Sequence, residues 1–291
     1  DTLYISDLDG TLLTPECKVS DETASALNTM IANGLFFTVA TARSASSAAP
    51  LLEKLNLRLP VILMNGVVIY DMEKREPVSV CPIEPEAARA ALAIFERHHI
   101  APFYNRLNQN TLEVCFMQLK PEANRKYYES RKNAPDKHFT MVNHLTVTND
   151  MPSIYLTTFD CYDTLLPVAR ELSAIEGLTS VLYKDTYSDA WLIEAFSSKA
   201  SKPSGAKWIQ KRMGAKHMVA FGDNLNDLPL FAAADESYAV SNAHERILAA
   251  ATGVIGSNTE NAVAHFLQEN TSFYEQEVKN CLLYTSDAAD D

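Results

Sequence analysis

No run of apolar residues in this sequence reaches the roughly 18 to 20 needed to cross a bilayer. The opening Leu3-Tyr4-Ile5-Ser6 reads as a strand, not as the charged and apolar halves of an export signal. No membrane span and no export signal are expected. Cysteine is sparse: the five residues, at 17, 81, 115, 161 and 281, form no CxxC pair and cannot all pair with one another. Reduced thiols in a cytoplasm fit that usage. Basic charge is scarce too, with 25 Lys and Arg against 37 Asp and Glu and a formal charge of −12. An extended phosphodiester backbone is therefore a poor partner, because nucleic-acid binding relies on a cationic surface that releases counterions. A small anion in a metal-containing pocket stays open. The sequence also lacks a Gly-rich P-loop, a GxSxG elbow, an internal repeat and any metal-type spacing among its seven histidines.

What is present is the composition of an ordinary globular protein, 47% hydrophobic and 21% charged, without low-complexity tracts. A chain of 291 residues suits one large domain or two unequal ones, and the pattern below favours two. The chain opens at Asp1 without a methionine, so at least one residue is expected ahead of it. Residues 281–291 read as translated adapter sequence and are left out of the fold; the chain is acidic with or without them.

Leu3-Tyr4-Ile5-Ser6 stops at Asp7 as a buried parallel strand does at the edge of its sheet. Ser20 to Asn33 follows with apolar Ala24, Leu27, Met30 and Ile31 at helical spacing, and Asn33-Gly34 supplies the stop. Residues 35–40 form the next strand, 46–55 a helix, and Pro60 to Met64 a third strand that ends at Asn65-Gly66. This alternation predicts a parallel sheet wrapped by helices, with ligands bound outside the carboxyl ends of the strands. From about Pro82 to Tyr187 the texture changes to a helix at 84–98, strands near 101–105 and 112–118, a helix near 121–131, and strands near 153–159 and 179–184. Most aromatic residues fall there and are expected to pack within that unit. The first pattern resumes with Trp191 to Glu194, a helix over 204–213, a strand at 217–221 ending in Gly222-Asp223, and further elements to residue 268.

Asp7 and Asp9, two residues apart at a strand end, are the sharpest chemical feature. Alone such a pair is a solvated turn. At a strand end the two can serve one reaction centre, Asp7 as nucleophile and Asp9 as the acid that protonates a leaving oxygen and then activates water. Gly10 permits a tight turn, and the backbone N–H groups around Leu8 and Gly10 can cradle phosphate oxygens. Gly222-Asp223-Asn224-Leu225-Asn226-Asp227 also follows a buried strand and would bring Asp223 and Asp227 to the same rim. Mg²⁺ prefers an octahedral shell of hard oxygens, which Asp7, Asp223 and the carbonyl of Asp9 could supply, with Asp227 nearby.

Together, Asp7-Leu-Asp-Gly-Thr11 and Gly222-Asp-Asn-Leu-Asn-Asp227 resemble the first and last motifs of haloacid dehalogenase-type phosphatases, and in particular the Cof-like sugar phosphatases. The resemblance implies a doubly wound, Rossmann-like parallel-sheet core with an inserted α/β cap, the core formed by 1–81 and 188–280 and the cap by 82–187. It matches Thr41 to the second motif, where a hydroxyl donates to a phosphoryl oxygen, with Ala42 and Arg43 beside it; Ala42 stands where the group often has glycine. It matches Asn65-Gly66 to the turn after the third strand, and Asn226 and Asn242 to positions near the phosphate. For the lysine that precedes the last motif it leaves Lys199 and Lys202, and Lys202 is chosen because it directly precedes a helix, as the family's lysine does.

The implied activity is Mg²⁺-dependent hydrolysis of a small phosphomonoester, a sugar phosphate or similar metabolite, through an aspartyl-phosphate, with the cap closing over the site and choosing the leaving group. A phosphomutase and a phosphorylatable signalling or binding protein without turnover are the alternatives. Monomer and homodimer are both open.

Overall fold

The computed structural model describes residues 1–185 and 189–273. The expected foreign tail at 281–291 and the expected domain boundary between 187 and 188 lie outside the described residues. Tertiary contacts divide the chain into two units, residues 1–79 with those from 202 onward, and Val80–Ser201.

In chain order the elements are β1 (Thr2–Ser6), α1 (Asp21–Ala32), β2 (Phe36–Val39), α2 (Ala45–Leu52), β3 (Val61–Leu63), β4 (Val68–Asp71) and β5 (Glu76–Val80). Then come α3 (Pro85–Arg97), β6 (Phe103–Asn108), β7 (Thr111–Phe116), α4 (Glu122–Arg131), β8 (Lys137–Met141), β9 (Ser153–Asp160), α5 (Tyr162–Leu172), β10 (Leu178–Lys184) and β11 (Trp191–Ser197). The chain closes with α6 (Lys202–Met213), β12 (His217–Gly222), α7 (Leu228–Ala233), β13 (Glu236–Val240), α8 (Glu245–Ala250), β14 (Gly253–Ile255) and α9 (Ala262–Asn270).

The first unit is built on a parallel sheet of order β14-β13-β12-β1-β2. A parallel bridge from Ala40 to Ile62 sets β3 beside the end of β2. Buried Leu3 and Ile5 of β1, with Met218 and Ala220 of β12, join Ile62 and Ile209 in one core, so the central strands are apolar because helices cover them. Local signals shape the ends: the Ser20 hydroxyl accepts from the Thr23 N–H at 3.0 Å to start α1, and Gly34, at φ +103°, lets the chain leave it. With β1, β2 and β12 parallel, Ser6, Val39 and Gly222 all end at one rim.

The second unit carries a mostly antiparallel sheet of order β10-β11-β9-β6-β7-β8. Helices α3 and α5 bury Ala91, Phe95, Leu165 and Leu172 in one core with Tyr104, Leu156 and Ile193 of the sheet. Tyr127 and Tyr128 of α4 pack on Phe103, Phe116 and Phe139 with ring centroids 4.8 to 5.3 Å apart, so these aromatics stabilise the unit itself.

Three features differ from the sequence reading. Trp191 to Glu194 does not resume the first pattern: β11 lies between β10 and β9, antiparallel to both. An apolar run does not specify its sheet. Helix α5 was not expected, although Leu165, Val168, Ala169 and Leu172 have helical spacing; Pro167 inside it masks the signal. Strands β4 and β5, which form a small sheet with β3, and β8 and β14 were also missed, each being short or polar.

Helix α6 seats directly on β3. A Cβ on Gly205 would lie 2.8 Å from Cγ2 of Ile62, a β-branched side chain with little freedom to yield. Alanine is the better helix former by about 1 kcal/mol, yet overpacking a filled core costs about 1 to 3 kcal/mol. Gly205→Ala is therefore expected to lower the midpoint of urea denaturation. A raised midpoint would show that this seat is not close-packed.

Candidate active site

The strand-end acids assemble around one lysine. Asp7 extends β1 by donating its N–H to the Phe221 carbonyl at 3.0 Å, so its carboxylate leaves the sheet at the rim. The chain then doubles back, with Gly10 at φ +76° and the Leu13 N–H returning to the Leu8 carbonyl at 2.9 Å. Lys202, the first residue of α6, points back to this rim. Its ammonium donates to Asp7 Oδ1 at 2.5 Å and to Asp227 Oδ1 at 2.6 Å, and all three side chains are buried. Lys199, the other candidate, pairs instead with Glu84 in an exposed contact of the second unit.

Asp7, Asp223 and Asp227 offer carboxylate oxygens within 4.8 Å of one another. Asp227 is committed: Oδ1 takes the lysine, and Oδ2 accepts from the Asp223 and Asn224 N–H groups, both at 3.1 Å. The close approach needs glycine at 222, where a Cβ would come within 2.8 Å of the Asp227 side chain. Asp223 Oδ1 accepts from the Thr11 hydroxyl at 3.0 Å. Among the described residues, Oδ2 of Asp7 and Oδ2 of Asp223 accept no hydrogen bond, and these are the oxygens open to an ion. Asp227 thus has both oxygens engaged while its carboxylate stays within the same group as those of Asp7 and Asp223. Thr11 belongs to the first motif, yet its clamp on Asp223 was not foreseen, because the spacing along the chain says nothing of which acid the hydroxyl reaches.

Electrostatics favour a cation here. Three carboxyl groups face one ammonium in a buried place, so ionising all of them leaves negative charge uncompensated. Burial pushes the Asp7 carboxyl up to about 8 against the pull of Lys202, with Asp227 and Asp223 adding to the rise. Burial and Asp227 push Asp223 up to about 6. For Lys202 burial works to lower the pKa, but Asp7 and Asp227 outweigh it and hold the ammonium charged. Hard carboxylate oxygens with uncompensated charge fit a divalent ion of the Mg²⁺ type.

Asp9 stands apart from this cluster. Its carboxylate takes a two-pronged contact from Arg43, Nε to Oδ2 at 2.7 Å and Nη2 to Oδ1 at 2.6 Å. Its carboxylate is therefore not one of the gathered ligands, and only its backbone carbonyl is left for that part. Thr41 is 1% exposed, and its Oγ1 accepts from the Arg43 N–H at 3.1 Å, which leaves the hydroxyl proton to donate elsewhere. The loops carrying Thr41 to Arg43 and Asn65 are laced together, Asn65 N–H to the Thr41 carbonyl and Met64 N–H to the Arg43 carbonyl, each at 3.0 Å. Asn65 and Gly66 follow in left-handed backbone at φ +55° and +94°. Ala42 is half-buried between its neighbours, and the Leu8 side chain sits in the core, leaving only its backbone to the turn.

Asn242 is occupied at both ends of its amide. Nδ2 donates to the Gly10 carbonyl at 2.9 Å, and Oδ1 accepts from the Asn258 N–H at 2.9 Å, so its side chain braces the turn after Asp9. Asn258, unremarked in the sequence, continues the brace by donating to the Leu13 carbonyl at 2.8 Å. Asn226 is exposed in the turn between Asp223 and Asp227.

This geometry agrees with what the chain is similar to. Residues 4–267 match the family profile described as haloacid dehalogenase-like hydrolase. The chain is 25% identical over 271 residues to the pyridoxal phosphate phosphatase YbhA of Escherichia coli, covering 90% of this chain and 95% of that protein. It is 26% identical over 282 residues to the 5-amino-6-(5-phospho-D-ribitylamino)uracil phosphatase YwtE of Bacillus subtilis, covering 90% and 96%. In fold it resembles TM0651 from Thermotoga maritima, with a TM-score of 0.74 at 21% identity over 93% of this chain and 97% of that one. Given a profile that spans nearly its whole length and the acids, threonine and lysine gathered at one rim, the chain belongs to the haloacid dehalogenase-like hydrolases.

Proposed function

We propose that this hydrolase is a Mg²⁺-dependent phosphatase of small phosphomonoesters that works through an aspartyl-phosphate on Asp7. The observation that carries the reading is the buried Lys202 ammonium held on Asp7 at the end of β1, with Asp223 beside it. The Asp7 carboxylate would attack phosphorus in line with the leaving oxygen. As the new O–P bond forms, the bond to the leaving alcohol breaks, and a proton from Asp9 neutralises the departing oxygen. A water then attacks the aspartyl-phosphate, its proton passes to Asp9, and Asp7 is returned with inorganic phosphate.

Lys202 offsets the charge that gathers on Asp7 and the phosphoryl group, and the Thr41 hydroxyl donates to a phosphoryl oxygen. The backbone around Leu8 and Gly10, with Ala42, Arg43, Asn65, Gly66 and Asn226, lines the phosphate side, while Asn242 steadies the turn. Asp9 reaches the leaving oxygen by giving up Arg43. That pair is partly exposed, at 23% for Arg43 and 47% for Asp9, so its release costs only about 0 to 1 kcal/mol. Bound through Asp7, Asp223 and the Asp9 carbonyl, Mg²⁺ would supply charge that keeps Asp7 ionised and polarises a phosphoryl oxygen.

The two named relatives act on different leaving groups, a pyridoxal and a ribitylaminouracil, so the substrate range in this reading is small phosphorylated metabolites of the cytoplasm, with sugar phosphates first. A panel of sugar phosphates, pyridoxal phosphate, 5-amino-6-(5-phospho-D-ribitylamino)uracil and flavin mononucleotide, assayed for phosphate release with Mg²⁺, tests it. At least one member should turn over, and Asp7→Asn, nearly isosteric, should lower that rate by about a thousandfold or more while the protein stays folded. Undiminished release by Asp7→Asn removes the nucleophile assignment. Asp9→Asn should slow both steps, and acid quenching with labelled substrate should then recover phosphate on the protein.

The raised carboxyls give the ion site a pH dependence of known sign. Raised to about 8 and about 6, Asp7 and Asp223 hold their protons to higher pH than free carboxyls when no cation is bound. A divalent ion favours the ionised forms, so Mg²⁺ binding should release protons and tighten as pH rises from about 6 to 8. Calorimetric titration of Mg²⁺ at pH 7 in two buffers of different ionisation enthalpy reads the proton count. Equal heats in both would speak against Asp7 as a ligand.

A further inference from the structure

The opposite edge of the first unit carries a second, unrelated cavity of about 350 Å³, near the lower end of the roughly 300 to 1,000 Å³ typical of small-molecule sites. It opens where the parallel strands begin: Phe36 starts β2, Pro60 precedes β3, and Trp208 and Met213 come from the far half of α6. The acids Asp7 and Asp223 follow β1 and β12, at the opposite, carboxyl rim of the sheet to which β2 belongs. The walls are mostly apolar, and three of the four charged side chains among them, Arg58, Lys74 and Arg212, are cationic. Arg58 and Arg212 line the cavity and meet no carboxylate among the described residues, while the remaining acid, Asp71, is engaged by Lys74 at 3.8 Å and by the Glu73 and Lys74 N–H groups. The Arg212 guanidinium stands 5.5 Å from the centre of the Trp208 ring, so a cation and an aromatic wall are held side by side.

Two guanidinium groups that meet no carboxylate among the described residues line one cavity, one of them beside an indole, in a chain of net charge −12. Guanidinium matches carboxylate or phosphate oxygens in a planar fork, and an indole face takes a flat apolar body. We infer that this cavity is a second ligand site, for a small anion with an aromatic or flat apolar body, its acid group on Arg58 and Arg212 and its ring against Trp208. The site is independent of the reaction assigned to Asp7.

A calorimetric titration with 2-naphthoate, which carries no phosphate to hydrolyse, tests the site, with the neutral 2-naphthalenemethanol as the matched control. One saturable site of sub-millimolar affinity is expected for the acid, with the alcohol binding at least about tenfold more weakly, as loss of one charge-assisted contact implies. Arg58→Gln and Arg212→Gln should each weaken 2-naphthoate by about that factor, and the double variant should abolish saturation, with circular dichroism and phosphate release unchanged. Asp7→Asn should bind as the parent does. Absence of saturation up to millimolar 2-naphthoate, equal binding of the alcohol, survival in the double arginine variant, or loss in Asp7→Asn would each overturn the assignment.

Discussion

Lys202 is the residue around which the first unit is organised. Its ammonium is 2% exposed and touches two carboxylates that are themselves enclosed, at the meeting point of β1, α6 and the turn after β12. A buried charge pair adds little net stability, but removing one partner strands the other at a cost of about 3 to 5 kcal/mol. The three side chains therefore require one another, and the rim of the sheet has to bring them together. That requirement explains several local features at once. Gly222 gives Asp227 room to approach, Asp227 gathers the N–H groups of Asp223 and Asn224, and Thr11 reaches across to hold Asp223.

The lysine corrects only part of the negative charge it faces. Two carboxyls stay raised, Asp7 by burial above all and Asp223 by burial and by Asp227. A site so arranged is poised to take positive charge, whether from a divalent ion or from protons, and the ionisation of Asp7 is tied to which of them arrives. Asp9 leans out to Arg43, while Asp7 stays among the buried acids, where desolvation raises its carboxyl. The division of labour between two acids only two residues apart comes from where their side chains point after a turn that needs Gly10.

Much of this could be read before any coordinates. Acids that end apolar strands, Asp7 after Leu3-Tyr4-Ile5-Ser6 and Asp223 after Met218-Val219-Ala220-Phe221-Gly222, announce a rim and a reaction there. The second unit was less legible. Its helix α5 has apolar residues at helical spacing, but Pro167 breaks the pattern, and β11 has the composition of a core strand while belonging to the other sheet. Strand composition records burial, and burial is the same on either sheet.

Within the amino-acid order itself lay the alternation of strand and helix, the acidic balance, the paired carboxylates at a strand end and the motifs by which the family is recognised. Tertiary structure alone set Lys202 on Asp7 and Lys199 on Glu84, set Arg43 on Asp9, committed Asp227 to Lys202 and turned Asn242 into a brace for the Gly10 turn. The reason is distance along the chain. Lys202 and Asp7 are 195 residues apart, and which lysine meets the acid depends on where α6 begins and on β12 lying beside β1. Strand order is a property of the packed sheet, and no local pattern of residues contains it.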